Sequence, residues 1–230
     1  MMTQQILDAI VQIAAPRIPE RFGCVGRVPV PDEGEEEQFL NLGILCQQHI
    51  FTCAHLCPTF PIYPPDLHLY SVRYAAEPTR ETDVTCLVST SMDVMVLSGQ
   101  TLYSDTDDTG VTGGFSFAAY YEELYEPLKP ARIRFESGAK SAVLKGYHFQ
   151  PDGKTVRAVE FQVWKDQPFI RFKTDAWQPG AAGGPLITED MKIIGIVTLF
   201  DSSKKWFGMR LDQCLPPYVA EHMSWDDVVL

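Results

Sequence analysis

Three short stretches of the chain carry residue types that could do chemistry together. Ile50-Phe51-Thr52-Cys53-Ala54-His55 is an apolar run ending in a histidine, and Ser91-Met92-Asp93-Val94-Met95-Val96-Leu97 opens a second apolar run on an aspartate. Pro179-Gly180-Ala181-Ala182-Gly183-Gly184-Pro185-Leu186 is a glycine-rich turn leading into a third. A histidine held at a strand end can serve as a general base. An aspartate beside it can fix the imidazole tautomer and stabilise the charged ring. A glycine-rich turn lets backbone N–H groups converge where an oxyanion develops. Taken singly, each piece has a plain structural reading. A histidine in an apolar run is usually a hydrogen-bonded core residue, as His49, His68, His148 and His222 are read here. An aspartate before a strand and a Gly-Gly-Pro are ordinary turn residues.

The elements that must position these residues are short strands. Extended segments are expected over 23–30, 39–46, 49–54, 66–72, 81–90 and 92–98. A second set covers 131–135, 141–149, 155–164, 169–175, 185–200 (a hairpin turning near Glu189-Asp190) and 206–211. Alternation is clear in Arg132-Ile133-Arg134-Phe135 and in Phe169-Ile170-Arg171-Phe172-Lys173, the period of a half-buried strand. Evenly spaced strands of this kind suggest a sandwich or barrels. Residues 101–130, with their Asp, Gly and Pro clusters, read as the linker between two β-units. The spacing of Ile6, Ile10 and Ile13 predicts a short amphipathic helix at the N-terminus, packed on the body. A closing helix is expected over 216–225. The acidic run Asp32 to Glu37 reads as a solvated loop.

Composition removes several classes of function. The chain has 230 residues, 19 basic against 30 acidic, and a net charge of −11. That balance argues against nucleic acid as a partner, since phosphate binding needs clustered Lys and Arg. It argues equally against anionic membranes. Apolar residues make up 45%, enough to bury a core. No apolar run approaches a membrane span, and the first residues do not read as a secretory signal. The six cysteines, Cys24, Cys46, Cys53, Cys57, Cys86 and Cys214, are read as reduced thiols in a cytoplasmic protein. Cys53, His55 and Cys57 alternate onto one face of an extended strand, but a zinc site there lacks a fourth ligand and the usual pair spacing. No metal or cofactor is expected.

In these motifs the chain resembles the trypsin/chymotrypsin-like serine proteases. Phe51-Thr52-Cys53-Ala54-His55 is similar to the family's apolar-Thr-Ala-Ala-His. Asp93 to Leu97 is similar to its Asp-Ile/Val-apolar-apolar-Leu. Gly180-Ala181-Ala182-Gly183-Gly184-Pro185-Leu186 is similar to its Gly-x-Ser-Gly-Gly-Pro-Leu. The order His, Asp, nucleophile is the family's own, and three motifs in order are far more specific than one. Thr174-Asp175-Ala176 before Pro179-Gly180, and Gly195-Ile196-Val197-Thr198-Leu199, resemble its HtrA-type branch.

The resemblance implies an all-β fold of two six-stranded antiparallel barrels with short terminal helices. Residues 1–118 would hold the first barrel and 119–230 the linker and the second. It implies His55 as general base, Asp93 as its orienting group and position 182 as nucleophile, with Gly180 and residue 182 supplying the oxyanion-hole N–H groups. It implies a specificity pocket with Ala176 as floor and Thr198, Leu199 and Phe200 as wall, hence a small or medium apolar preference. A one-residue slip would bring Asp175 to the floor and favour basic residues, and Arg210, if its head points inward, would favour acidic ones. The expected partner is a protein or peptide substrate, with room for a regulatory protein. In the trypsin branch an Asp just before the nucleophile pairs with a new N-terminus. Here that residue is Ala181, so this route of activation is not expected.

One departure decides what the chain as written can do. Ala182 occupies the serine position, and a methyl group cannot attack a carbonyl. Either a serine was deliberately replaced, or the chain is a natural pseudoprotease that keeps the fold for binding. Retention of His55, Asp93 and the whole Gly-Gly-Pro turn favours the first.

Overall fold

The structure, a computed structural model, describes residues 2–14, 39–56, 69–79, 81–99, 116–173, 180–201 and 205–230. The strand expected over 23–30, the acidic run, most of the expected linker, His68, Cys24, Cys57, Asp175 and Ala176 lie outside the described residues.

The first barrel is built from β1 (Ile10–Ala14), β2 (Phe39–Cys46), β3 (His49–Cys53), β4 (Leu69–Tyr74), β5 (Glu81–Ser89) and β6 (Val94–Ser98). They close in the order β1-β2-β3-β6-β5-β4. The second barrel uses β8 (Ser141–Phe149), β9 (Val156–Trp164), β10 (Phe169–Lys173), β11 (Pro185–Thr188), β12 (Ile193–Asp201) and β13 (Lys205–Arg210). These close in the order β10-β13-β12-β11-β8-β9. Every pairing within both barrels is antiparallel. Closure leaves no strand edge open within either sheet, which is how all-β proteins avoid edge-to-edge association. Two closed six-stranded barrels of this kind make up the chymotrypsin-like double barrel.

The N-terminal segment departs from the helical expectation. The helix, α1 (Gln4–Asp8), is little more than one turn, capped by the Thr3 side chain. Ile10, Val11 and Ile13 belong instead to β1, which pairs with β2 on one side and β4 on the other. β-branched residues suit a strand, and two ladders of backbone hydrogen bonds outweigh a marginal short helix. Barrel one therefore takes a strand from 10–14.

The segment 131–135 is also extended, yet it is not a barrel strand. β7 (Ala131–Arg134) pairs in parallel with β14 (Asp226–Val229), so the two form a separate ribbon. Of the closing helix expected over 216–225 only the single turn α4 (Pro217–Ala220) forms, after a separate turn of helix, α3 (Leu211–Cys214), and the chain then turns extended. Within the expected linker, α2 (Phe117–Leu124) is helical, capped by Ser116.

The hydrophobic core runs across both units. Ile44, Phe51, Tyr70, Val96 and other buried residues of barrel one form one cluster with Phe149, Ile187, Ile196 and Met209 of barrel two. A second cluster, including Phe161, Ile170, Phe172 and Val197, fills barrel two. β11 packs on β2 and β12 on β3, so the two barrels meet along strands that lead into the candidate site.

Candidate active site

Strand pairing delivers His55 and Asp93 to one another. β3 and β6 are hydrogen-bonded neighbours, with Thr52 opposite Met95 and Cys53 opposite Val94. The next residues out are Ala54 and Asp93, and the Ala54 N–H donates to the Asp93 carbonyl at 3.0 Å. His55 then sits in the single 3-10 turn, Ala54–Leu56, that ends β3.

Asp93 holds His55 at two points. Its Oδ1 accepts the His55 backbone N–H at 2.7 Å, and its Oδ2 lies 2.7 Å from His55 Nδ1. Asp93 is itself a left-handed residue, with φ of +60°. Aspartate tolerates that region better than most residues. The turn is fixed by Thr90, whose carbonyl accepts the Asp93 N–H and whose hydroxyl accepts the Val94 N–H. Asp93 is buried at 6% exposure, while the His55 side chain remains 43% exposed. A buried carboxylate thus backs an accessible imidazole. The Asp93 hydrogen bond, and secondarily a contact with Cys53, raise the His55 pKa from its ordinary 6.5 to about 10, against the opposing effect of burial.

The glycine-rich turn of barrel two docks on the same end of barrel one. The Leu42 N–H donates to the Ala182 carbonyl at 2.9 Å, and the Thr52 hydroxyl donates to the Leu42 carbonyl at 2.7 Å. Gly183 lies against both. A Cβ built there would fall 2.1 Å from Leu42 O and 2.3 Å from Thr52 Oγ1, and its φ is +80°. Only glycine satisfies both demands. The turn is anchored from behind by β12, where Gly183 N–H donates to Val197 O and Val197 N–H to Gly184 O, each at 2.8 Å. Ala182 is therefore held by backbone contacts next to Thr52, three residues before His55. The Ala182 N–H donates to no acceptor among the described residues. Gly180 has a φ of +94°, again a glycine conformation.

Ala181 is buried, at 1% exposure. Thr198 lies at a register shift in β12, between Val197 and Leu199, with its hydroxyl directed at Phe207 O at 3.4 Å. Leu199 and Phe200 belong to β12 and pair with Phe207 and Trp206 of β13. Arg210 is not free to face a substrate. It is 1% exposed, with Nε 3.0 Å and Nη2 2.7 Å from the Asp212 carboxylate and Nη1 2.7 Å from Trp164 O. That removes the basis for an acidic preference. His148 is buried beside Phe172, and His222 hydrogen-bonds Tyr218 O. Cys46, Cys53, Cys86 and Cys214 are free thiols.

Two features were not anticipated. One is the role of Leu42 in receiving the Ala182 turn, for which the sequence holds no signal. The other is Cys53, whose Sγ lies 3.7 Å from His55 Nε2. The i, i+2 spacing of the two residues was the available clue.

No protein-family model matches the chain, and no curated protein does. Among solved structures the chain is similar to Rv3671c from M. tuberculosis H37Rv, an inactive mutant form, at 15% identity and a TM-score of 0.47, over 90% of this chain and 83% of that one. It is also similar to a human pathogenic astrovirus serine protease, at 11% identity and a TM-score of 0.48, over 92% of each chain.

Proposed function

We propose that the chain is a serine endopeptidase carrying alanine at its nucleophile position. The observation that carries this reading is the pairing of a buried Asp93 with the Nδ1 of an accessible His55 at 2.7 Å, beside a docked Gly-Gly-Pro turn. With serine at 182, its hydroxyl attacks the peptide carbonyl while His55 Nε2 takes the proton and passes it to the leaving amine. Asp93 keeps hydrogen on Nδ1 and stabilises the imidazolium. The N–H groups of Gly180 and residue 182 receive the oxyanion, each worth about 3–4 kcal/mol in transition-state binding. No metal or cofactor takes part in this scheme. Water then releases the acyl group by the same proton relay in reverse.

The resemblance to the HtrA-type branch, the cytoplasmic setting and a dedicated protein substrate belong to this reading. So does a pre-formed or partner-ordered site, since Ala181 cannot form the ion pair of the trypsin branch. The proposed pocket, with Ala176 as floor and Thr198, Leu199 and Phe200 as wall, is uncharged. A buried Lys or Arg would find no carboxylate there, so cleavage after a small or medium apolar residue follows.

Ala182 itself favours a second reading, a pseudoprotease that binds peptides without cutting them. The Ala182→Ser protein, incubated with a positional peptide library, separates the two. Cleavage after apolar residues supports the first. Binding without any cleavage supports the second, and strong selection for Arg or Lys overturns the pocket register.

A further inference from the structure

The two ring nitrogens of His55 have different neighbours. Nδ1 lies 2.7 Å from Asp93 Oδ2, and Nε2 lies 3.7 Å from the sulfur of Cys53. A carboxylate only accepts, so Nδ1 carries hydrogen whether the ring is neutral or charged. Nε2 is then the nitrogen that gains and loses the proton. Cys53 occupies the last position of β3 and is fully buried, at 0% exposure. Its sulfur therefore approaches the working nitrogen from the protein side and shares the in-plane Nε2–H with whatever group that nitrogen serves.

A protonated Nε2 is a donor, and a thiol sulfur is a weak, polarisable acceptor. Contact between them favours the charged ring at Nε2, as the Asp93 carboxylate does at Nδ1. Among the described residues, the titratable groups acting on the ring are Asp93, from the turn before β6, and Cys53, from β3. The family motif that this stretch resembles has alanine here, and a methyl group offers no lone pair.

We propose that Cys53 is a positioning residue for His55, its sulfur accepting the Nε2–H of the charged imidazole and holding the ring against Asp93. The consequence rests on the reading of His55 as the general base. With the charged ring supported at both nitrogens, the base form appears at higher pH than Asp93 alone would set, and peptide hydrolysis by a serine form moves toward alkaline pH. Cys53 touches no substrate and is never the nucleophile.

The test is a ring-nitrogen NMR titration of His55 in the Ala182 chain, with Cys53→Ala and Cys53→Ser beside it. Removing the sulfur is expected to lower the His55 midpoint by at least about half a pH unit, a threefold change in the protonation constant. Serine restores a lone pair, so its midpoint is expected between those of the parent and the alanine variant. Should the alanine variant fail to fold, the serine variant decides by a smaller shift in the same direction. In the Ala182→Ser background, the pH profile of kcat/KM is expected to move to lower pH by the same amount on Cys53→Ala. An unchanged or raised midpoint in a folded variant overturns the proposal. Absence of hydrolysis by Ala182→Ser at every pH removes the protease reading, while the titration of the Ala182 chain still decides what Cys53 does.

Discussion

Asp93 holds both ends of His55, its Oδ1 on the backbone N–H and its Oδ2 on Nδ1, each at 2.7 Å. The first bond fixes where the residue sits and the second fixes which way its ring is turned. Asp93→Asn keeps the shape but can donate to Nδ1, which reverses the tautomer. In the Ala182→Ser background this substitution is expected to lower kcat about 10⁴-fold with the fold intact. A loss of less than tenfold in steady-state peptide hydrolysis would show that Asp93 does not orient the base.

The same pair makes a pH-dependent contribution to stability. His55 has a folded-state pKa raised, chiefly by Asp93, from 6.5 to about 10. A raised value means the folded state binds the proton more tightly, so the contribution is fully present below about pH 6.5 and lost as pH climbs toward about 10. Urea melts of the parent chain across this window are expected to show falling stability. Asp93→Asn flattens the slope. An equal slope in both proteins would place its origin elsewhere.

Gly183→Ala is expected to separate the two barrels at the candidate site. The new methyl group meets Leu42 O and Thr52 Oγ1 at distances no side chain adopts, and the backbone sits at φ of +80°. Left-handed strain and overpacking each cost about 1–3 kcal/mol, so a total loss of roughly 2–6 kcal/mol follows. Calorimetry checks the magnitude. A change below about 0.5 kcal/mol, the range of neutral surface substitutions, would contradict the docking seen here.

Arg210 and Asp212 form a buried pair, with side-chain exposures of 1% and 7%. Asp212 also accepts the Ile133 N–H at 2.9 Å, tying β7 to barrel two. Asp212→Ala strands a buried cation and is expected to cost about 3–5 kcal/mol. Arg210→Met with Asp212→Leu removes both charges and is expected to recover much of that loss. Chemical denaturation of the single and double variants decides the point.

Much of the double barrel is legible in residue order alone. β2, β3, β8 and β9 lie close to where their apolar runs and bounding turn residues put them, because side-chain period and turn chemistry are local properties. The candidate site is legible for a related reason. His55 and Asp93 stand at the ends of apolar runs, and strand ends are where a barrel presents side chains to solvent. Partner choice is a different matter. Ile6, Ile10 and Ile13 fit a helix as well as they fit a turn followed by a strand. What decides for the strand is that β2 and β4 offer ladders on both sides of β1. The alternation of β7 is plain, yet nothing near it shows that its partner is β14, at the far end of the chain. Arg210 reads as a possible pocket cation until Asp212 and the Trp164 carbonyl are seen to enclose it. The sulfur beside Nε2 depends on the 3-10 turn that folds His55 back over Cys53. Residue types and spacing determined which chemistry this chain could support. Which groups meet was decided only by barrel closure, because those contacts join residues far apart in sequence and depend on free energy shared over the whole core.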